Sequence, residues 1–422
     1  MSDDKGQNKS AQVRYATFLP AFLQSPLFRE FLIMATRVEA LVNPDILIWA
    51  RNSAGLDVET AANKIPVKED RLTSWEAGSA RPTVKQLRKL AGAYKRPLAV
   101  FFLPEPPRDF QPMHDFRRLP GEVAGVQSPE LRYEIRRAIA RRSIALELIK
   151  SLGEHVSAFR FTGTMDTTPA ELAERLRELL KVSLVEQVSW ESGYDSFNRW
   201  RDAIESAGVL VLQMTSVNPR ESRGFSISET PLPVVVLNTK DSPQARCFTL
   251  MHELAHIALR KGGLCDLDDH TARRPEELQT EVYCNNVAGF ALVPSKALLN
   301  EPVILAQHNK DGWKEENIVY LANRYGVSRE VILRRLLILG RTTEAFYKQK
   351  RKLYIEQAEQ RERERGPGFA PPDKMAVASA GPTFTRLVLE NYQSESITAS
   401  DVADFLEVRL KHLSRIREAV LG

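Results

Sequence analysis

His252, Glu253 and His256 form the pattern H-E-x-x-H within Arg246-Cys247-Phe248-Thr249-Leu250-Met251-His252-Glu253-Leu254-Ala255-His256-Ile257-Ala258-Leu259. On an α-helix, a four-residue offset puts both imidazoles on one face, a turn apart, where they can share one cation. Zinc takes imidazole nitrogen at about 2.0–2.1 Å and, in catalytic sites, keeps one position for water. A glutamate beside the first histidine can reach that water as a general base, the catalytic role expected of Glu253. The flanks Phe248, Leu250, Leu254, Ala255, Ile257, Ala258 and Leu259 are apolar, so the helix is expected to be buried. Buried neutral histidines are costly without partners, and a metal supplies them. The bare motif also arises by chance, so the third ligand matters.

The longer form H-E-x-x-H-x-x-G-x-x-H is not present, because Leu259 and Gly262 stand at its glycine and last histidine positions. Downstream candidates are Asp266, Asp268, Asp269, His270, Glu276, Glu277 and Glu281. Glu281 opens a run to Pro294 that is apolar at helical spacing and stopped by the proline. A carboxylate leading a second helix would complete a His2Glu site. The structural alternative is that Glu281 only sits favourably at a helix N-terminus.

Arg223-Gly224-Phe225-Ser226, Pro233, Leu237-Asn238, Phe248-Thr249-Leu250, His252-Glu253-x-x-His256 and Glu281-x-x-x-Asn285…Pro294 span about residues 196–294. Together they resemble the ImmA/IrrE metallopeptidases. The resemblance implies a zincin-like domain holding Zn2+ through His252, His256 and Glu281. It also implies hydrolysis of a peptide bond in a helix-turn-helix repressor, in response to stress, phage or mobile-element signals. Cys284 stands where the family usually has alanine, a change that touches no ligand.

Elements are needed to position these groups. Helices are expected over 170–180 and 195–207, the latter turning Phe197, Trp200, Ala203 and Ile204 inward. Buried strands are expected over 208–214 and 232–238, with residues 223–228 alternating as an exposed strand would. A small sheet ahead of the histidine helix suits peptide binding by strand addition, although the sequence does not say which strand is the edge. Arg223 is a candidate for either oxyanion stabilisation or a structural salt bridge.

A different pattern occupies residues 43–104. Asn43-Pro44 caps a first helix, Asp57 a second, a third runs from Lys68 to Glu76, and a fourth from Thr83 to Tyr94. Short helices joined by tight turns are the helix-turn-helix layout. The run Leu72-Thr73-Ser74-Trp75-Glu76-Ala77-Gly78-Ser79-Ala80-Arg81-Pro82-Thr83 resembles XRE (Cro/repressor-like) domains, which implies DNA as partner and a homodimer. From Pro44 to Val100, ten basic residues face six acidic ones, an excess that favours phosphate. Lys68, Arg71, Thr73 and Ser74 are the expected DNA contacts, with Glu69 and Asp70 serving the helix dipole. The bland alternative is a helical protein-binding module.

At 422 residues the chain is long enough for about two to four domains. A net charge of +5 is too small to specify nucleic acid by itself, so local charge decides. Three cysteines without C-x-x-C spacing argue against a disulfide framework and a thiolate zinc cluster. Neither a twenty-residue apolar run nor a signal-peptide layout is found, so a cytoplasmic protein without a membrane partner is expected. The expected division is an extension over 1–42 (with Met34 as a second natural start), the helix-turn-helix domain over 43–104, and a linker over 105–127. The peptidase domain follows over 128–345, then a charged helix and Pro/Gly linker over 346–372, and a separate helical unit over 373–422. The arginines of the long helix after Ser128 are expected on a solvated face. The fold class is mainly α with a small β-sheet (α+β). The competing function is a DNA-binding regulator or antitoxin-like partner whose peptidase fold senses without catalysis.

Overall fold

The computed structural model describes residues 39–107, 127–156, 158–261, 275–364 and 371–421. Two compact units divide the chain, residues 1–110 and 111–422. Most of the extension expected over 1–42 and of the linker over 105–127 lies outside the described residues, as do Asp266, Asp268, Asp269, His270 and Cys265.

The first unit holds α1 (Pro44–Ser53), α2 (Val58–Lys64), α3 (Glu69–Glu76) and α4 (Val84–Tyr94). Each start has a chemical cause. The Asn43 side chain accepts from the Asp45 amide at 2.9 Å ahead of Pro44, and Asp57 accepts from the Thr60 amide at 2.7 Å. Thr83 and Gln86 form a reciprocal capping box on α4. Gly78 takes φ +70° where the chain leaves α3, a conformation that favours glycine. Ile46, Leu47, Leu72, Trp75, Leu87 and Tyr94 form the core. Arg51 grips Glu76 with two hydrogen bonds of 2.7 and 2.9 Å, joining α1 to the end of α3.

The second unit is built on a three-stranded sheet of order β1-β3-β2, with β1 (Leu210–Met214), β2 (Gly224–Ile227) and β3 (Val234–Asn238). β1 runs parallel to β3 with Leu210 opposite Val234, and β2 runs antiparallel to it with Gly224 opposite Leu237. Preceding the sheet are α5 (Pro129–Ser151), α6 (Pro169–Leu180) and α7 (Gly193–Ser206). After it come α8 (Pro243–Ala258), α9 (Pro275–Leu292), α10 (Glu315–Tyr325), α11 (Arg329–Ile338) and α12 (Glu344–Glu364). The chain closes with α13 (Pro372–Ala380), α14 (Pro382–Gln393), α15 (Ala399–Leu406) and α16 (Leu413–Leu421).

All three strands are buried on both faces. Val211, Val235 and Leu237 join the core containing α6–α11. Leu210, Leu212, Met214, Phe225, Ile227, Val234 and Val236 join the core formed with α5 and α13–α16. A sheet apolar on both sides requires a helical layer on each.

That requirement corrects two expectations. β2 is not an exposed strand, because its alternation divides two buried faces. Residues 373–422 are not a separate unit, since Phe384, Val388, Val402, Leu406 and Ile416 cover the sheet beside α5. α15 ends at Leu406, and the following Glu407 adopts φ +55°. The α5 arginines are also engaged internally. Arg137 pairs with Glu134 at 3.0 Å and Glu407 at 3.1 Å, while buried Arg141 donates to the Ser379 carbonyl at 2.9 Å. Arg142 donates to the Leu232 carbonyl at 2.8 Å and pairs with Glu229 at 3.0 Å. The charged helix expected within 346–372 is likewise docked: Tyr347 and Tyr354 of α12 are buried and bond to Glu330 and Glu315.

Candidate metal centre

α8 begins where Ser242 caps the amide of Ala245 and Pro243 occupies the first turn. From Arg246 to Ala258 every residue is buried. Some of the polar groups sunk with it find partners. Arg246 lies over the Phe197 ring at 4.4 Å and donates to Gln213 Oε1 at 2.5 Å, anchoring the helix start to β1.

Two turns further on, His252 and His256 point their Nε2 atoms together at 3.1 Å. The Glu281 carboxylate closes the triangle, 3.3 Å from His252 Nε2 and 3.3 Å from His256 Nε2. All three side chains are fully buried. α9 starts at Pro275, which places Glu281 in its second turn. Glu281 therefore does not lead the helix, and the alternative of a favourable N-terminal charge falls to Glu276 and Glu277 instead.

These distances test the donor set for a metal. A tetrahedral ion holding ligands at about 2.0–2.1 Å separates them by roughly 3.3 Å. The observed edges of 3.1, 3.3 and 3.3 Å fit that spacing. Neutral imidazoles facing one another can share only one proton along the Nε2–Nε2 line, whereas a cation satisfies both lone pairs and the carboxylate together. Among the described residues, these three alone bring three ligand-type side chains together.

Glu253 follows His252 but belongs to a different set. Its carboxyl is buried, and neither oxygen accepts a hydrogen bond among the described residues. Burial pushes its pKa up, with His252, His256 and the Ser226 hydroxyl opposing the shift. For Glu281 burial also acts upward, but the imidazoles of His252 and His256 beside it outweigh it and hold the carboxyl well below the usual range. The two glutamates are thus driven apart, one suited to take a proton and the other to remain an anion.

The sheet contributes groups that the sequence did not single out. Ser226 of β2 faces Glu253, and Gly224 two residues earlier permits the close approach of α8: a Cβ there would lie 2.6 Å from Thr249 Cγ2. Cys284 of α9 is buried beside His256, and burial pushes its thiol pKa up. Small residues at alternate positions of β2 were the available signal for the strand's close approach. Arg223 lies 3.8 Å from Asp241, just before α8, which is the salt bridge weighed above.

In the first unit, Lys68, Arg71 and Thr73 are exposed along α3, whose inner face buries Leu72 and Trp75. Ser74 is half-buried and donates its hydroxyl to the Arg71 carbonyl at 2.7 Å.

Residues 204–337 match the Peptidase_M78 family model, described as the IrrE N-terminal-like domain. The match takes in the sheet, α8, α9 and also α10 and most of α11, beyond the stretch of resemblance seen in the sequence. Residues 47–101 match the HTH_3 helix-turn-helix model. No curated protein matches the chain. The architecture is therefore an XRE-type helix-turn-helix domain followed by an IrrE N-terminal-like Peptidase_M78 domain.

Proposed function

We propose that this protein is a zinc-dependent endopeptidase and transcriptional regulator that cleaves a helix-turn-helix repressor under stress, phage or mobile-element signals. The observation that carries the reading is the buried His252–His256–Glu281 triangle with Glu253 beside it. His252, His256 and Glu281 would hold the ion, which when bound supplies Lewis acidity to polarise the scissile carbonyl and acidify an attacking water. Glu253 takes the proton of that water and returns it to the leaving amine. Its upward-shifted pKa brings it closer to the working range of a base that must also act as an acid.

The sheet order supports a place for the substrate. β2 pairs with β3 on one side only, so its other edge is the one we assign to an extended peptide, with α8 packed over the face of β2 and β3. β1, the opposite edge, packs against α13. Ser226 on β2 puts the substrate-pairing edge and the proposed base in one place. The first unit would bring this centre to DNA through α3, with Lys68, Arg71 and Thr73 toward the groove. Ser74 is the weaker member of that set because its hydroxyl is already committed.

Metal content by mass spectrometry tests the site, with His252→Ala and Glu281→Ala beside the wild type. About one zinc per chain in the wild type, lost in both variants, is expected from a three-ligand site. No metal after zinc reconstitution would sink the peptidase reading. Incubation with candidate repressors then separates catalysis from sensing, because Glu253→Gln keeps the ligands and removes the base. Unchanged biological output in Glu253→Gln, together with loss on changing Lys68 or Arg71, would favour the non-catalytic regulator.

A further inference from the structure

The cations of the first unit are unevenly placed. Between Glu76 and Glu105 there is no acidic residue, yet Arg81, Lys85, Arg88, Lys89, Lys95 and Arg96 all fall in that span. Arg96 turns inward over the Trp49 ring at 4.3 Å. Arg81, Lys85, Arg88 and Lys89 are exposed, and their side chains make no ion pair or hydrogen bond among the described residues. Lys85, Arg88 and Lys89 are at i, i+3 and i+4 and so share one face of α4, while Leu87, Leu90, Ala91 and Tyr94 bury the other. Gly92 continues the outer face, with nothing within 4 Å of where a Cβ would stand. The face is cationic and sterically open.

α3 presents the opposite balance. Its exposed Lys68 and Arg71 are offset by exposed Glu69 and Asp70, so it offers phosphate no net attraction. The excess charge that favours DNA therefore does not reside on the helix expected to read it.

We propose that the outer face of α4, with Arg81 at its entry, binds the phosphate backbone of duplex DNA and supplies most of the unit's salt-dependent affinity. This rests on the reading of the first unit as DNA-binding. Charge complementarity selects the occupant: four unneutralised cations meet an evenly spaced polyanion, and long flexible side chains suit contacts that carry no base information. α3 is left to contribute base contacts rather than electrostatic attraction.

The test uses the full chain and a random-sequence duplex of about 30 bp, long enough for several phosphate contacts, with binding measured over a salt series. The variants are Lys85→Gln/Arg88→Gln/Lys89→Gln and Lys68→Gln/Arg71→Gln, each with a melting curve to show that folding is kept. Losing three phosphate contacts should flatten the slope of log K against log salt by about 2.7. Between about 50 and 200 mM salt the wild type should then lose roughly 40-fold more affinity than the triple variant. A smaller change is expected for the α3 double variant. An unchanged slope in the triple variant, or the larger loss in the α3 variant, overturns the assignment while leaving DNA binding intact. Wild-type protein that does not bind the duplex overturns the DNA reading and the assignment together, and an acidic protein partner becomes the occupant to seek.

Discussion

Gly224→Ala probes how closely the edge strand must approach the histidine helix. The added Cβ would stand 2.6 Å from Thr249 Cγ2 and 2.9 Å from the Val236 carbonyl oxygen. Ordinary contact begins at 3.4 Å, so β2 and α8 must separate by about 0.8 Å. Thr249 is buried in α8 and Val236 O belongs to the neighbouring strand, so neither can swing away as an exposed side chain could. Overpacking of this kind costs about 1–3 kcal/mol. For a unit of this size, that lowers the melting temperature by a few degrees to about ten. Separation would also draw Ser226 away from Glu253, so peptide hydrolysis should fall by more than metal content does. Thr249→Ser removes only the methyl that clashes and keeps the hydroxyl that donates to the Ala245 carbonyl at 3.2 Å. Combined with Gly224→Ala it should restore part of the stability, leaving the Val236 clash, and the two changes should be non-additive. Differential scanning calorimetry on the four proteins of the cycle measures this directly. A Gly224→Ala protein with wild-type melting temperature, or additive effects with Thr249→Ser, would refute the argument.

Glu205 offers a pH test away from the metal centre. It accepts from the Thr383 hydroxyl at 2.8 Å, linking α7 to α14, and burial pushes its pKa up to about 7. Below the unfolded value of 4.5 both states are protonated; as pH rises through 4.5 toward 7 the unfolded chain ionises first, so stability falls. Glu205→Gln should remove this loss, amounting to about 2 kcal/mol after discounting for partial exposure, and denaturant titrations at pH 5 and 8 should show wild type and variant diverging much more at the higher pH. The C-terminal layer gives another test. Phe384→Ala should cost about 3–5 kcal/mol, and ending the chain after Glu364 should leave an aggregating protein that binds a hydrophobic dye. A truncated protein with wild-type melting behaviour would show that the layer is dispensable.

The sequence by itself settled what is local. The caps at Asn43 and Asp57 mark helix starts because a side-chain oxygen must satisfy amides within three residues, wherever the helix later packs. The spacing of His252 and His256 placed two imidazoles on one face for the same kind of reason. The apolar runs over 208–214 and 232–238 were legible as buried strands, observed over Leu210–Met214 and Val234–Asn238. What could not be read was against what each face is buried. Periodicity reports that Phe225 and Ile227 differ from Gly224 and Ser226, but a second helical layer and a close-packed helix produce the same alternation as solvent does. Resemblance pointed to Glu281, whereas its position within α9 and its 3.3 Å approach to both histidines depend on how α8 and α9 pack. The arginines of α5 looked solvated because their partners, Glu407, Ser379 and Leu232, lie far away in the chain. Tertiary structure decided these matters because contacts between distant segments depend on which surfaces meet, and no window of neighbouring residues contains both.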